Sequence, residues 1–358
     1  MSSNWSAFGA VFAEEDARGS SASSASSADS ELAKACAALE PGDGADFPAG
    51  AQSAFSEADL AWQSTFHNDD QHGLIHLMGK PANANRSWHH QYYTVADNEW
   101  TVVARGMWNN PGHIYGAFTI DHGTGDLFQW RGNMNGRGPT DRRASWWKHE
   151  TKEWDFIPVD VFDGALESHP NGSTWHPNLY GAGDGGLILQ SGSRTLFWRN
   201  KDDAVESVSH RGLSFGAAAG IGAYWPAKDV AFVGGGQGGR LLKVTPDGSR
   251  TPKVEPVGEL PITLGGNSHI YSTRFGSLHV HPGNPDKPLI VETVGEQTRT
   301  SGSRAWTSED GSDWGRIEDH TFTTVPRVVC SLRGGLGALW AIGKTGSRDV
   351  SQLWKPKA

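Results

Sequence analysis

An all-β chain of repeated four-stranded units is the fold this sequence predicts, and three observations carry the prediction. Short runs rich in Val, Ile, Trp, Tyr and Phe recur from Leu60 to Trp354, punctuated by Gly- and Asp-rich turns. Composition agrees: 46 Gly and 16 Trp in 358 residues, against 4 Met, describe turn-rich β structure rather than a helical bundle. Most telling is a recurring strand, turn, strand, loop, strand, turn, strand unit whose copies start near residues 60, 113, 177, 222 and 277. Four strands every ~40–50 residues mark a radial array of sheets.

Taken in order, Asn4–Phe12 reads as a strand anchored by Trp5, Phe8 and Phe12, and Ser20–Ser30 reads by composition as a flexible linker. Glu31–Glu40 has helical spacing, with Leu32, Ala35, Cys36 and Leu39 on one face, Ser30 as cap and Pro41-Gly42 as stop. So short a helix is marginal alone, so it is expected to pack on a larger body.

The first unit comprises Trp62–Phe66, Leu74–Gly79, Trp88–Thr94 and Trp100–Val103. The second comprises His113–Asp121, Asp126–Arg131, Ala144–His149 and Trp154–Pro158. The third and fourth run from Asn178 to Val208 and from Gly222 to Val257, and the fifth from Ser277 to Ile317. A sixth copy, Val328–Leu332, Ala338–Ile342 and Val350–Trp354, ends one strand short. An open sheet edge is a liability, so Asn4–Phe12 is expected to fill it. The expectation is therefore an all-β, six-bladed β-propeller closed by an N-terminal strand, with one short N-terminal helix. A seventh blade is the alternative, since Arg131–Arg143 and Val159–Trp175 are long enough to contain strands. Residues 1–59 would hold the closing strand, linker and helix, and residues 60–358 the propeller. Two β-sandwiches are the rival arrangement, but they leave the missing last strand unexplained.

The turn in the fifth unit adds a resemblance. In Ala305–Trp314, AWTSEDGSDW, the residues Ser308, Asp310, Gly311 and Trp314 give Ser-x-Asp-Gly-x-x-Trp. The physics is that of a hairpin: hydroxyl and carboxylate tie down turn N–H groups, Gly takes a positive φ, and Trp covers the turn. This resembles the Asp-box, or BNR repeat, of sialidases and related propellers, and the looser repeats resemble the kelch-like class. The resemblance implies a propeller and a structural role for these four residues. A sialidase would also present an early arginine motif; it is missing, so no catalytic role passes to Arg131, Arg199, Arg274 or Tyr271.

Charge and cysteine usage narrow the function classes. A formal charge of −9 argues against a nucleic-acid partner, which wants a basic face. Cys36 and Cys330 are neither a disulfide framework nor a zinc signature, so their pairing is open. The N-terminus lacks the basic and apolar regions of a signal peptide, and no run approaches the ~18 apolar residues of a membrane span. A soluble chain is expected, cytoplasmic when made.

Candidate site residues lie where the innermost strands begin. His113, His176, Asn178, Asn267 and His269 recur at these starts and would surround a central channel mouth suited to a ligand. Three imidazoles spread round a wide channel stand too far apart for a metal ion, so the reading names no metal and no cofactor. Trp146 and Trp147 are candidate aromatic surface residues, because adjacent strand residues face opposite ways. His89–His90, His279 and His281 read as solvent-facing or edge residues, and His67 to His72 as a solvated turn. The function expected is a non-catalytic binding or assembly module, meeting protein partners or a glycan within a larger particle such as a phage tail or capsid. A polysaccharide-acting glycosidase or lyase on the same scaffold is the alternative.

Overall fold

The structure is a computed structural model. It describes residues 30–48, 65–79, 88–107, 118–122, 124–131, 143–158, 178–181, 187–191, 195–199, 205–209, 220–225, 228–235, 240–245, 252–262, 274–294, 303–318, 322–323, 325–345 and 348–357. Among the described residues one helix, α1 (Glu31–Ala37), precedes the strand β1 (Gly44–Asp46). Five four-stranded antiparallel sheets follow, each made of consecutive strands. They are β2 (Thr65–Asp69) and β3 (Leu74–Gly79) to β5 (Glu99–Met107), β6 (Phe118–Ile120), β7 (Leu127–Arg131) and β8 (Arg143–Lys148) to β9 (Glu153–Pro158), β10 (Asn178–Gly181) to β13 (Val205–Ser209), β14 (Gly220–Trp225) to β17 (Lys253–Glu259), and β18 (Arg274–Val280) through β20 (Ser303–Ser308) to β21 (Trp314–Arg316). The last strands, β22 (Val325–Leu332), β23 (Ala338–Thr345) and β24 (Arg348–Trp354), pair with β1 in the order β1-β24-β23-β22.

The first strands touch their neighbours in the cyclic order β2, β6, β10, β14, β18, β22 and back to β2. That contact order is a closed ring of radial sheets, so the chain folds as a β-propeller.

The expected fold class needs correcting at the blade count and at the closure. Among the described residues five blades are complete, continuous units, not six or seven, and the remaining sheet is a composite of the two ends of the described chain. Asn4–Phe12 lies outside the described residues, and the edge it was expected to fill is taken by β1. Gly44, Ala45 and Asp46 pair with Trp354, Leu353 and Gln352. The Gly42 and Phe47 N–H groups donate to Lys355 and Ser351 carbonyls at 2.7 and 2.8 Å, and Gln352 Nε2 donates to Asp46 Oδ1 at 2.8 Å.

Helix α1 is tied to this closure. Ser30 Oγ accepts the Ala33 N–H at 3.0 Å, the capping bond the sequence predicts. Its buried face, Leu32 and Cys36, joins Leu39, Phe47, Phe66, Tyr93, Cys330 and Trp340 in one core cluster shared by the first blade and the composite sheet. Trp340 is the hub, edge-on to Phe47, Phe66 and Tyr93 at 5.2–5.5 Å between ring centroids. Both cysteines are free and buried, and burial pushes the Cys36 thiol up to about 12. Neither is a poised thiolate.

The β20–β21 hairpin forms as its residues require. Ser308 Oγ accepts the Gly311 N–H at 2.8 Å, Asp310 Oδ1 accepts the Ser312 N–H at 2.8 Å, and Trp314 Nε1 donates to the Gly311 carbonyl at 3.1 Å. Gly311 has φ of 86°, and a Cβ there would stand 3.2–3.3 Å from Leu241, Phe232 and Val257. Gly311→Ala is therefore expected to cost at least ~1–2 kcal/mol from the left-handed backbone alone. Ser308→Ala, which orphans a buried N–H, should cost about 1–3 kcal/mol. Urea unfolding checks both: the midpoint falls while the slope stays constant.

Candidate functional site

In a four-stranded meander the first–second and third–fourth turns lie at one end of the sheet. Turns of three sheets meet there on one face of the ring: β2–β3 (70–73), β6–β7 (121–126) and β8–β9 (149–152), with β22–β23 (333–337) beside them. The side chains they bring together are Asp69, Asp70, His72, His122, His149, Lys152 and Arg333.

Asp69 is the centre. It is the last residue of β2 and only 2% exposed. Its Oδ1 accepts the His72 N–H at 3.2 Å, while Oδ2 lies 2.8 Å from His72 Nδ1 and 3.7 Å from His149 Nδ1. The two imidazoles stack with centroids 3.7 Å apart, one from each of the first two blades. His149 is held by the bond from its N–H to Asp126 Oδ1 at 2.7 Å. Lys152 Nζ stands 3.0 Å from His149 Nδ1 and 5.2 Å over the Trp147 ring.

Glycine at 125 is what lets the second blade come so close. It has φ of 75°, and a Cβ there would lie 2.5 Å from both Asp69 Oδ2 and His72 Nδ1. Beside this group, Arg333 Nη2 donates to Asp70 Oδ1 at 2.9 Å and to His122 Nδ1 at 3.1 Å.

The electrostatics follow from burial. His149 is pushed down to about 4, first by desolvation and then by His72 and Lys152, with Asp69 opposing. Desolvation also lowers the Lys152 ammonium, against the pull of Asp69 and Asp126. At neutral pH His149 is a neutral imidazole with lone-pair nitrogen to offer, beside a buried carboxylate.

Deeper in the seam, His76 and His90 are both 0% exposed, packed against Trp147. Trp154 Nε1 donates to His90 Nδ1 at 3.1 Å, so His90 carries its proton on Nε2. That proton is donated to His76 Nδ1 at 3.2 Å, which leaves the His76 proton on a buried Nε2 with no hydrogen-bond partner among the described residues.

The sequence-predicted site residues fare unevenly. His113, His176, Asn267 and His269 lie outside the described residues. Asn178 opens β10, paired with Gln190. Trp147 is not a surface residue but is fully buried between the first two blades, and the side chain of Trp146 lies outside the described ones. His90 and His281 are not solvent-facing either: His90 is packed against Trp147 between the first two blades, and His281, just past β18, is buried with its Nε2 3.0 Å from the Lys357 carbonyl. Asp69 belongs to a strand rather than a solvated turn. Sequence reasoning missed His149 as its partner; the two lie on different blades, and only ring geometry joins them.

No protein-family model matches the chain, and no curated protein matches it in sequence. Solved structures do. The chain is similar to a protein of unknown function from Bacteroides thetaiotaomicron, at 12% identity and TM-score 0.50, over 89% of this chain and 73% of that one. It is similar to AofleA from Arthrobotrys oligospora at 9% identity and TM-score 0.50, over 88% of this chain and 93% of that one. A fungal AA5-family alcohol oxidase in complex with copper matches at 14% identity and TM-score 0.49 over 82% of this chain, which spans 62% of that protein's length. At such identities the likeness shows the fold alone, a β-propeller. Among the described residues no helix is long and apolar enough to cross a membrane.

Proposed function

We propose that this propeller is a non-catalytic binding module that engages a glycan through the turn face of its first two blades, within a larger assembly. The observation that carries the proposal is the part-exposed set His72, His149 and Lys152, lying beside Asp69, with Lys152 Nζ 6.0 Å over the part-exposed ring of Tyr92. Hydrogen-bonding groups above aromatic rings suit the alternating polar and apolar edges of a sugar.

Catalysis is less well supported. Ser277 Oγ lies 2.7 Å from His279 Nε2, the contact of a nucleophile with its base. Burial, aided by His67, pushes that imidazole down to about 3, far from the near-neutral value a general base needs. None of the three similar structures is described as a particle component, so the phage tail or capsid role gains nothing from them.

The experiment is a glycan array paired with turnover assays on acidic polysaccharides. Binding without turnover is expected, weakened by Lys152→Ala. Turnover of any substrate, or an array with no binder, overturns the proposal.

A further inference from the structure

The Asp69 cluster has the composition of a metal site as well as of a hydrogen-bonded seam. We propose that Asp69, His72 and His149 bind one divalent transition-metal ion of the zinc class, tying the first blade to the second and leaving coordination positions open to solvent. The three residues bring ligand atoms within 4.8 Å of one another. Donors each about 2.1 Å from a tetrahedral ion are about 3.4 Å apart. The Asp69–His72 and Asp69–His149 separations, 2.8 and 3.7 Å, bracket that value.

Two imidazoles and one carboxylate suit zinc, nickel, cobalt or iron(II) rather than calcium or magnesium, which take oxygen ligands. Three protein ligands also leave at least one position free, as in sites that hold an exchangeable water.

One further observation points the same way. The buried Asp69 carboxylate already has a cation close by: Lys152 Nζ reaches to 3.0 Å of His149 Nδ1, a proposed ligand atom. An ammonium in that place stands in for the metal and must swing out when the metal enters. The site coincides with the face proposed for glycan binding but does not rest on it, since metal uptake is measured with no glycan present.

The test uses the full chain, stripped with a chelator and titrated with zinc chloride by calorimetry, with bound metal counted by atomic spectroscopy. Wild type should take up one equivalent and melt several degrees higher with zinc than with chelator. Asp69→Asn, His72→Gln and His149→Gln should each weaken that equivalent by about 100-fold or more and abolish the thermal shift. Because Asp69 is buried and its variant can fail to fold, the part-exposed histidines carry the test if it does. Lys152→Met should bind zinc at least as tightly as wild type, because it removes the competing charge. No uptake by wild type, uptake indifferent to both histidine variants, or zinc binding lost in Lys152→Met would each overturn the assignment.

Discussion

Removing residues 1–48 is expected to unfold the protein, whereas removing residues 1–15 spares α1 and β1 and leaves it folded. The longer truncation takes away α1 and β1 together, and with them four side chains buried in the shared core: Leu32, Cys36, Leu39 and Phe47, none more than 7% exposed. At ~1.5–3 kcal/mol each, the lost burial is on the order of 6 kcal/mol or more. A domain of ordinary stability has only ~5–15 kcal/mol to lose.

The truncation also reopens an edge. Without β1, the β24 groups that pair with Gly44–Asp46 face solvent, and Gln352 loses the Asp46 carboxylate it donates to. Unpaired edges of this kind template aggregation. The shorter truncation leaves β1, Phe47 and the helix in place. Circular dichroism melts and size-exclusion profiles of the two variants decide the matter; a folded, monodisperse 49–358 chain would show that the composite sheet does not need its N-terminal strand.

Why the closing strand was misplaced is instructive. Asn4–Phe12 carries three large aromatics and looks like a strand, while Gly44–Asp46 is three residues with every side chain exposed. An edge strand held by its backbone and one polar side chain leaves no hydrophobic alternation to read. The missing fourth strand itself was legible, because counting strands per repeat exposes a shortfall whatever fills it. So were the Ser30 cap, the β20–β21 hairpin and nearly all blade strands, whose signals are local.

The candidate site was less legible for a different reason. Polar residues on a strand usually mean solvent, and His89–His90 were read that way. Between two blades both faces of a strand are covered, so a polar residue there is buried and must find a polar partner. His90 finds Trp154 and His76 on two different strands, and His72 finds His149 across the seam. None of these pairings is local in sequence. The signal that was available is the density of imidazoles near the turns 67–72 and 149–152, which only the ring brings together.

That buried imidazole pair sets up the second large effect, a steep loss of stability in mild acid. Burial pushes His90 down to about 3, and it pushes His76 well below its ordinary value, with His90, His67, His149 and Lys152 adding like-charge repulsion. An unfolded chain exposes both at the ordinary value near 6.5. Below ~6.5 the unfolded state therefore takes up protons that the folded state refuses, and the equilibrium moves toward unfolding. The stabilisation is complete above ~6.5 and is lost progressively as pH falls toward about 3. For His90 alone, going from pH 7 to pH 5 costs about 2 kcal/mol, being ~1.5 units at 1.36 kcal/mol each. His76 adds a loss of the same sign.

The geometry explains why neither can charge in place. His90 Nδ1 is occupied by the Trp154 N–H and His90 Nε2 by His76, so a second proton on His90 would displace a bond and face a neighbouring imidazole at 3.2 Å. Urea unfolding from pH 7.5 to 4.5, with chelator present so that no metal contributes, should show the midpoint falling steeply below about pH 6.5. His90→Gln, which keeps an acceptor for Trp154 and a donor for His76 but cannot titrate, should be less stable at pH 7.5 and lose less on acidification. A wild-type midpoint flat across that range, or a His90→Gln profile as steep as wild type, would mean that these imidazoles are protonated in the folded state.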